Sequence, residues 1–396
     1  MQQNTSNRIN RINESSTILM AQKARYMKEN NIEVIDLSIG EPDFNVDEYI
    51  KISAKKAIDE NFSHYSPIPG YKDLRLSIVD KFKRDNQLNY SIDNIIVSNG
   101  AKQSIFNLIL SLINKDDEVI IPKPYWVSYS EIVKISNGKC VFIDTNIDTK
   151  FKININELEN YITAKTKLFI FSSPSNPTGT IYKKHELEAI AKILNKYPNI
   201  FILSDEIYEY INYVGKHISI ANIDNMYKKT FIINGCSKGY SMTGWRIGYM
   251  AGPKHIIKSC IKLQGHSTSG PCSISQKAAY TAISSYPNKD KIQDLMKRRD
   301  LVYNNLNKIK GLKLYKPDGA FYFFIDISSF YNKKYKNNII KNSTDFTMLL
   351  LENEQVVLVG GKDFGNDNCI RLSYAVSNNK LIIAIQKIIN FIKNIK

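Results

Sequence analysis

This sequence lacks the cysteine pairing of a secreted scaffold. Its five cysteines (Cys140, Cys236, Cys260, Cys272 and Cys369) are scattered, odd in number and without a CxxC pair, which argues against a disulfide framework and a zinc site. A reducing cytosol is the expected setting, with no metal. Long apolar runs are also missing. The stretch around Leu108 to Ile113 falls far short of the roughly 18 apolar residues a membrane span needs, so no membrane association is expected. The amino terminus has no apolar core or small-residue cleavage site for secretion. Glu14, the first acidic residue, follows Arg8 and Arg11, only a faint likeness to a transit peptide, and residues 1–20 read as an N-terminal arm. No fixed-period repeat or long low-complexity tract is present. Tyr331 to Asn342, dense in Lys, Asn and Tyr, reads as a surface excursion.

Negative charge is the scarcer sign: 54 Lys and Arg against 38 Asp and Glu leave a net +16. The lysines are spread along the chain rather than gathered into a basic stripe, so compositional drift is preferred to a nucleic-acid partner. A field of this sign would still speed the encounter with anionic substrates at low salt.

At 396 residues the chain exceeds what one hydrophobic core usually serves, so two domains are expected. Short apolar runs bounded by Gly, Ser, Asn and Pro alternate with segments of helical period, which predicts an α/β fold with a mostly parallel central sheet flanked by helices. The strands are read at Asn94 to Val97, Glu118 to Ile121, Leu168 to Phe171, Phe201 to Leu203 and Thr230 to Ile233. Ligands gather beyond the carboxyl ends of such strands, so the residues just after them are the first candidates for chemistry. Beyond about Ser275 the pattern changes to a long helical stretch through Arg299, strand-like GAFYFFID and an amphipathic helix from Asn379 to Ile395. This predicts a smaller α+β domain completed by the N-terminal segment: residues 1–47 as arm and part of the small domain, 48–290 as the large domain, and 291–396 as the rest of the small domain.

The segment NGCSKGYSMTGWRIGY places Lys238 after an apolar strand, Ser237 before it and Arg246 eight residues on. A lysine partly desolvated at a strand end can lose its proton and attack an aldehyde, while arginine stays charged and forks onto phosphate. A solvated loop lysine is the bland alternative. The company of Ser237 and Arg246, with Gly244 and Gly248 permitting close backbone approach, favours a covalent anchor. In FILSDEIYEY, Asp205 follows its strand directly. A carboxylate there can keep a pyridine nitrogen protonated and so set up an electron sink. Tyr208, three residues on, shares a face of any helical turn and can donate to a phenolic oxygen. In isolation this segment reads better as a helix start capped by Asp205 or Ser204.

FSSPSNPTGT leaves Asn176 at the tip of a stiff turn, its amide free for a cofactor oxygen and a carboxylate, although such turns are common. In SNGAKQSIFNLIL a strand runs through Gly100 into a helix whose first free amides, on Ala101, Lys102 and Gln103, form an anion site. This junction lacks the GxxxxGKS/T spacing of a triphosphate loop and counts only beside the others. Trp126 in PYWVSY can stack on a planar ring or pack in the core. Arg371 in CIRLSYAVS demands an anion, met equally by a substrate α-carboxylate or by an internal salt bridge.

Taken together with LSIGEPDF at Leu37, HYSPIPGYKDLR at His64 and PDGAFYFF at Pro317, these segments resemble, in order and over nearly the whole chain, the class I aminotransferases of the fold type I pyridoxal-phosphate enzymes. The likeness is closest to their bacterial aspartate aminotransferase branch. It implies pyridoxal 5'-phosphate as cofactor, Lys238 as Schiff-base lysine and proton shuttle, Asp205 on the pyridine nitrogen, and Asn176 and Tyr208 on the phenolic oxygen. It implies Ser237, Arg246 and the Ala101 and Lys102 amides on the phosphate, Trp126 on the ring, and Arg371, Asn176 and Gly40 for the substrate. Tyr65 would reach across from a second subunit, making a homodimer. The resemblance ties Lys102 to the side-chain carboxylate of aspartate or glutamate, so amino and 2-oxo dicarboxylic acids are the expected substrates. Prephenate is less expected, because Asn13 stands where relatives that use it tend to carry a basic residue. Gly239 and Tyr240 replace the family's Ala and Phe, which predicts a looser turn after Lys238, and GGKDFG at Gly360 lacks the usual proline. A lyase or decarboxylase on the same fold is the rival activity, separable by assay for ammonia or carbon dioxide.

Overall fold

In a computed structural model that describes residues 5–13 and 16–396, the chain is built on a seven-stranded sheet. Its strands are β1 (Ile95–Asn99), β2 (Glu118–Pro122), β3 (Lys139–Ile143), β4 (Thr166–Ser172), β5 (Phe201–Asp205), β6 (Thr230–Gly235) and β7 (Ile247–Ala251). They lie in the order β1-β7-β6-β5-β4-β2-β3, parallel throughout except for β7, which runs antiparallel to both neighbours. All five expected strands are present, each running slightly past its predicted carboxyl end. Successive residues such as Ile95, Ile96 and Val97 are all fully buried, so the runs are continuous rather than alternating, as a sheet covered on both faces requires. One face packs on helix α1 (Ala101–Leu112) through Ile96, Ile105, Leu108, Phe231 and Met250. The other is covered in two patches, around Ile120, Phe169 and Ile190 and around Val97, Ile232 and Ala278.

A second sheet joins β8 (Tyr322–Asp326), β9 (Val359–Gly360) and β10 (Cys369–Ser373) in the antiparallel order β9-β10-β8. Helices α2 (Lys289–Leu306), α3 (Ser343–Glu354) and α4 (Asn378–Lys393) share its apolar core with Phe323, Leu350, Tyr374 and Phe391. The N-terminal segment is drawn in here: Ile35 and Asp36 pair in parallel with Val356 and Val357.

Several expectations are corrected. The helical stretch read from Ser275 to Arg299 is two helices, Ser273–Ile283 and α2, separated at Pro287, whose ring cannot continue a helix, with Asn288 capping α2 through its bond from Asp290 N. No helix follows Asp205; residues 207–210 form a turn. The excursion at Tyr331 to Asn342 contains a hairpin, Lys334–Tyr335 with Asn338–Ile339, anchored by buried Tyr335 and Ile340. Of the N-terminal arm, residues 1–4, 14 and 15 lie outside the described residues, while Ser16–Glu29 is helical.

Candidate active site

Because β2, β4, β5 and β6 are parallel, the segments leaving them emerge on one edge of the sheet, together with the helix start after β1. They enclose a cavity of about 310 Å³ lined by Gly40, Ala101, Lys102, Trp126, Asn176, Asp205, Tyr208, Ser237, Lys238, Arg246 and Arg371. Every expected site residue is therefore in one place except Tyr65, which stands outside the cavity with 97% of its surface exposed.

Lys238 follows β6 on a turn and donates from Nζ to the Gly40 carbonyl at 2.6 Å. Burial pushes its amine down to about 8, helped by Arg371 and Arg246 and opposed by Glu41 and Asp205. A nucleophilic amine is thus available near neutral pH. Asp205 closes β5. Burial raises its carboxyl to about 6, while its oxygens accept from Tyr129 Oη at 2.6 Å and Ile207 N at 3.2 Å. Hydrogen bonds of this kind favour the charged form. Tyr208 is buried with its hydroxyl 2.8 Å from that of Tyr322, and burial holds its phenol well above the usual range.

Arg371, on β10, is buried and donates from Nη1 to Asn176 Oδ1 at 3.1 Å and from Nη2 to the Ser38 carbonyl at 2.5 Å. Its guanidinium lies 4.7 Å from the Tyr322 ring centre and 4.9 Å from that of Phe364. Its Nε has no partner among the described residues. The fork is thus held by two carbonyl oxygens and keeps donors for an anion, which favours the ligand over the internal salt bridge.

At the helix start, Gly100 takes φ +83°, and a Cβ there would lie 2.2 Å from Arg246 Nη2; at Gly248 it would lie 2.1 Å from Ala101 N. Only glycine lets Arg246 and the first amides of α1 come this close. At Gly244 a Cβ would have nothing within 4 Å, so the close approach expected of it is absent. Arg246 is exposed and bonds the Thr243 and Asn99 carbonyls. Lys102 Nζ lies 5.0 Å from the Trp126 ring centre, and its ammonium is held below its ordinary pKa by desolvation and by Arg246, although much of the side chain is exposed.

The arrangement offers an amine for an aldehyde, an anion cradle, an aromatic wall, a buried carboxyl and a guanidinium with a spare donor, a set that fits pyridoxal phosphate and an amino acid. Sequence reasoning missed Tyr129 and Tyr322. Both occur in segments already singled out, PYWVSY and GAFYFF, but their aromatic surroundings read as core. A Cβ at Gly40 would lie 2.2 Å from Tyr322 Oη, the one local hint that a side chain crosses there. At Gly239, where a looser turn is expected, a Cβ would meet Tyr210 Cδ2 at 2.9 Å.

A family model described as aminotransferase class I and II matches residues 32–388. A Rickettsia conorii protein named "Probable aspartate/prephenate aminotransferase" is 44% identical over 98% of this chain and 98% of its own length. The crystal structure of the aspartate aminotransferase from Rhizobium meliloti superposes with a TM-score of 0.95 at 38% identity, covering 99% of both chains. The Thermus thermophilus aspartate aminotransferase with maleate superposes with a TM-score of 0.91 at 33% identity, covering 98% of this chain and 100% of that one.

Proposed function

The chain belongs to the class I and II aminotransferases, and on that premise we propose that it moves the amino group of L-aspartate or L-glutamate reversibly onto 2-oxoglutarate or oxaloacetate, with pyridoxal phosphate as cofactor. The observation that carries the reading is the convergence of Lys238, Asp205 and the partly unpaired Arg371 on one cavity. When bound, pyridoxal phosphate supplies an aldehyde that captures amines and a ring that withdraws electrons from the substrate Cα. Lys238 would hold it through its amine, and that amine when free would carry the proton away from the substrate Cα. Asp205 holds a negative charge against the ring nitrogen and keeps it protonated. Tyr208 and Asn176 serve the phenolic oxygen, Trp126 the ring face, and Ser237, Arg246 and the Ala101 and Lys102 amides the phosphate. Arg371 grips the α-carboxylate together with Asn176 and Gly40, and Lys102 takes the side-chain carboxylate. The maleate, a dicarboxylate, in the Thermus thermophilus relative supports that substrate class.

Two copies pair, with Tyr65 serving the neighbouring cavity, a role its full exposure supports. The five free thiols support a reducing cytoplasm. Among the described residues no helix is long and apolar enough to cross a membrane. A wider acceptor range that includes prephenate is favoured by the name of the Rickettsia conorii relative, and an assay with prephenate decides it.

The test is the visible spectrum of the purified protein. A yellow band that bleaches with L-aspartate and returns with 2-oxoglutarate is expected. A yellow protein indifferent to aspartate would move the substrate elsewhere, and one that takes up no pyridoxal phosphate would overturn the reading.

A further inference from the structure

The turn that carries Lys238 is weakly held by its own backbone. Its hydrogen bonds, Tyr240 N to Cys236 O, Ser241 N to Lys238 O and Met242 N to Cys236 O, measure 3.3, 3.4 and 3.4 Å, beyond the usual range for such bonds. Its position therefore depends on what packs against it. Behind Gly239 stands the Tyr210 side chain, with ring Cδ2 2.9 Å and Cβ 3.5 Å from where a residue-239 Cβ would sit, and beside it Pro287, whose Cγ would lie 3.3 Å away. The same ring meets the Tyr240 ring edge-on at 5.8 Å between centres, so Tyr210 touches the two residues that follow the lysine.

Tyr210 is itself tied down. Its hydroxyl donates to Asp85 Oδ2 at 2.6 Å, and Asp85 is held by Arg84 through bonds of 2.7 and 2.9 Å. Both acid and arginine sit on a π-helical turn, Phe82–Asn86. At its far end Asn86 receives Lys81 Nζ at 2.8 Å and donates to Glu209 Oε2 at 3.2 Å. Lys81 and Glu209 are themselves a buried ion pair, and Lys81 lies 5.5 Å from the Tyr210 ring centre. Residues 207–210 thus form one clamped turn that carries Tyr208 on its cavity side and Tyr210 on the side of the lysine.

We propose that Tyr210 is a positioning residue for Lys238: its anchored ring occupies the space left by the missing side chain at Gly239 and fixes the lysine-bearing turn from behind. This rests on Lys238 being the cofactor lysine. Gly239 is then the partner that Tyr210 requires, and the two positions are coupled.

The experiment compares full-length holoenzymes of the wild type, Gly239→Ala, Tyr210→Ala and the double variant. It reads the pH midpoint of the visible band, kcat and KM for aspartate, and the melting temperature. Each single change is expected to move the midpoint by about half a pH unit and lower kcat about tenfold with little change in KM. The double variant is expected to regain most of that loss, because the new methyl enters the space the ring has left. A merely structural role would give additive losses and a constant midpoint. If Tyr210→Ala fails to fold, Tyr210→Phe replaces it; that variant keeps the ring and is expected within about threefold of wild type, beside about a tenfold loss in Gly239→Ala. A Gly239→Ala enzyme with wild-type midpoint and kcat, or additive losses in the double variant, would overturn the proposal. A wild-type chain without any visible band would instead remove the cofactor reading, and the proposal with it.

Discussion

Asp205 shows how much stability a buried carboxylate costs its fold. Its carboxyl rises from the ordinary 3.8 to about 6 on burial, so the folded apoprotein binds that proton more tightly than the unfolded chain does. The favourable contribution is fully present below about pH 4 and is lost as pH rises through 6. Asp205→Asn is therefore expected to raise apoprotein stability at pH 8 by about 3 kcal/mol and to change little at pH 4, while transamination falls by about 10³-fold or more. Melting curves at the two pH values check the first point. Tyr129→Phe removes the 2.6 Å bond that favours the ionised carboxylate. Its kcat/KM should drop about tenfold and the acid limb of its pH profile should move toward neutral; an unmoved limb would deny Tyr129 this influence. At this scale the sequence was most informative where chemistry is unusual in kind, as with Lys238, Asp205 and Arg371 beside strand ends. It was least informative for Tyr129 and Tyr322, whose hydroxyls matter but whose rings are indistinguishable in sequence from the aromatics of the core.

Elements were legible wherever burial on both faces wrote a continuous apolar run, as in β2 and β4. The direction of β7 was not, because nothing in WRIGYMAG distinguishes a parallel from an antiparallel strand. Only the short connection from β6, too short for a crossover, forces the reversal. The reversal brings Gly248 against the first residue of α1, where a Cβ would lie 2.1 Å from Ala101 N. Gly248→Ala is expected to cost about 2–4 kcal/mol and to weaken cofactor retention, since β7 and the anion-binding helix start cannot keep their contact. Melting temperature and the rate of cofactor loss on dilution measure both effects. Gly244→Ala, with open space around it, is the matched control and should do neither. The break between Ser273–Ile283 and α2 was hidden because both pieces share a helical period and only Pro287 interrupts it.

For the whole molecule, net charge is the property most easily read from sequence and least tied to any one contact. With +16 on the chain, kcat/KM for aspartate should fall as salt rises from about 0.01 to 0.15 M while kcat holds steady. A flat salt response would leave the charge without a kinetic role. The most distant pairing in the fold has a different kind of consequence. Ile35 and Asp36 take their places only against Val356 and Val357, and Gly40, whose carbonyl receives Lys238, lies just beyond them. On the ribosome, at roughly 5–20 residues per second, the opening segment waits roughly 15–60 s for the strand that docks it. Lys238 is therefore translated while Gly40, whose carbonyl will receive it, still lacks the strand that docks its segment.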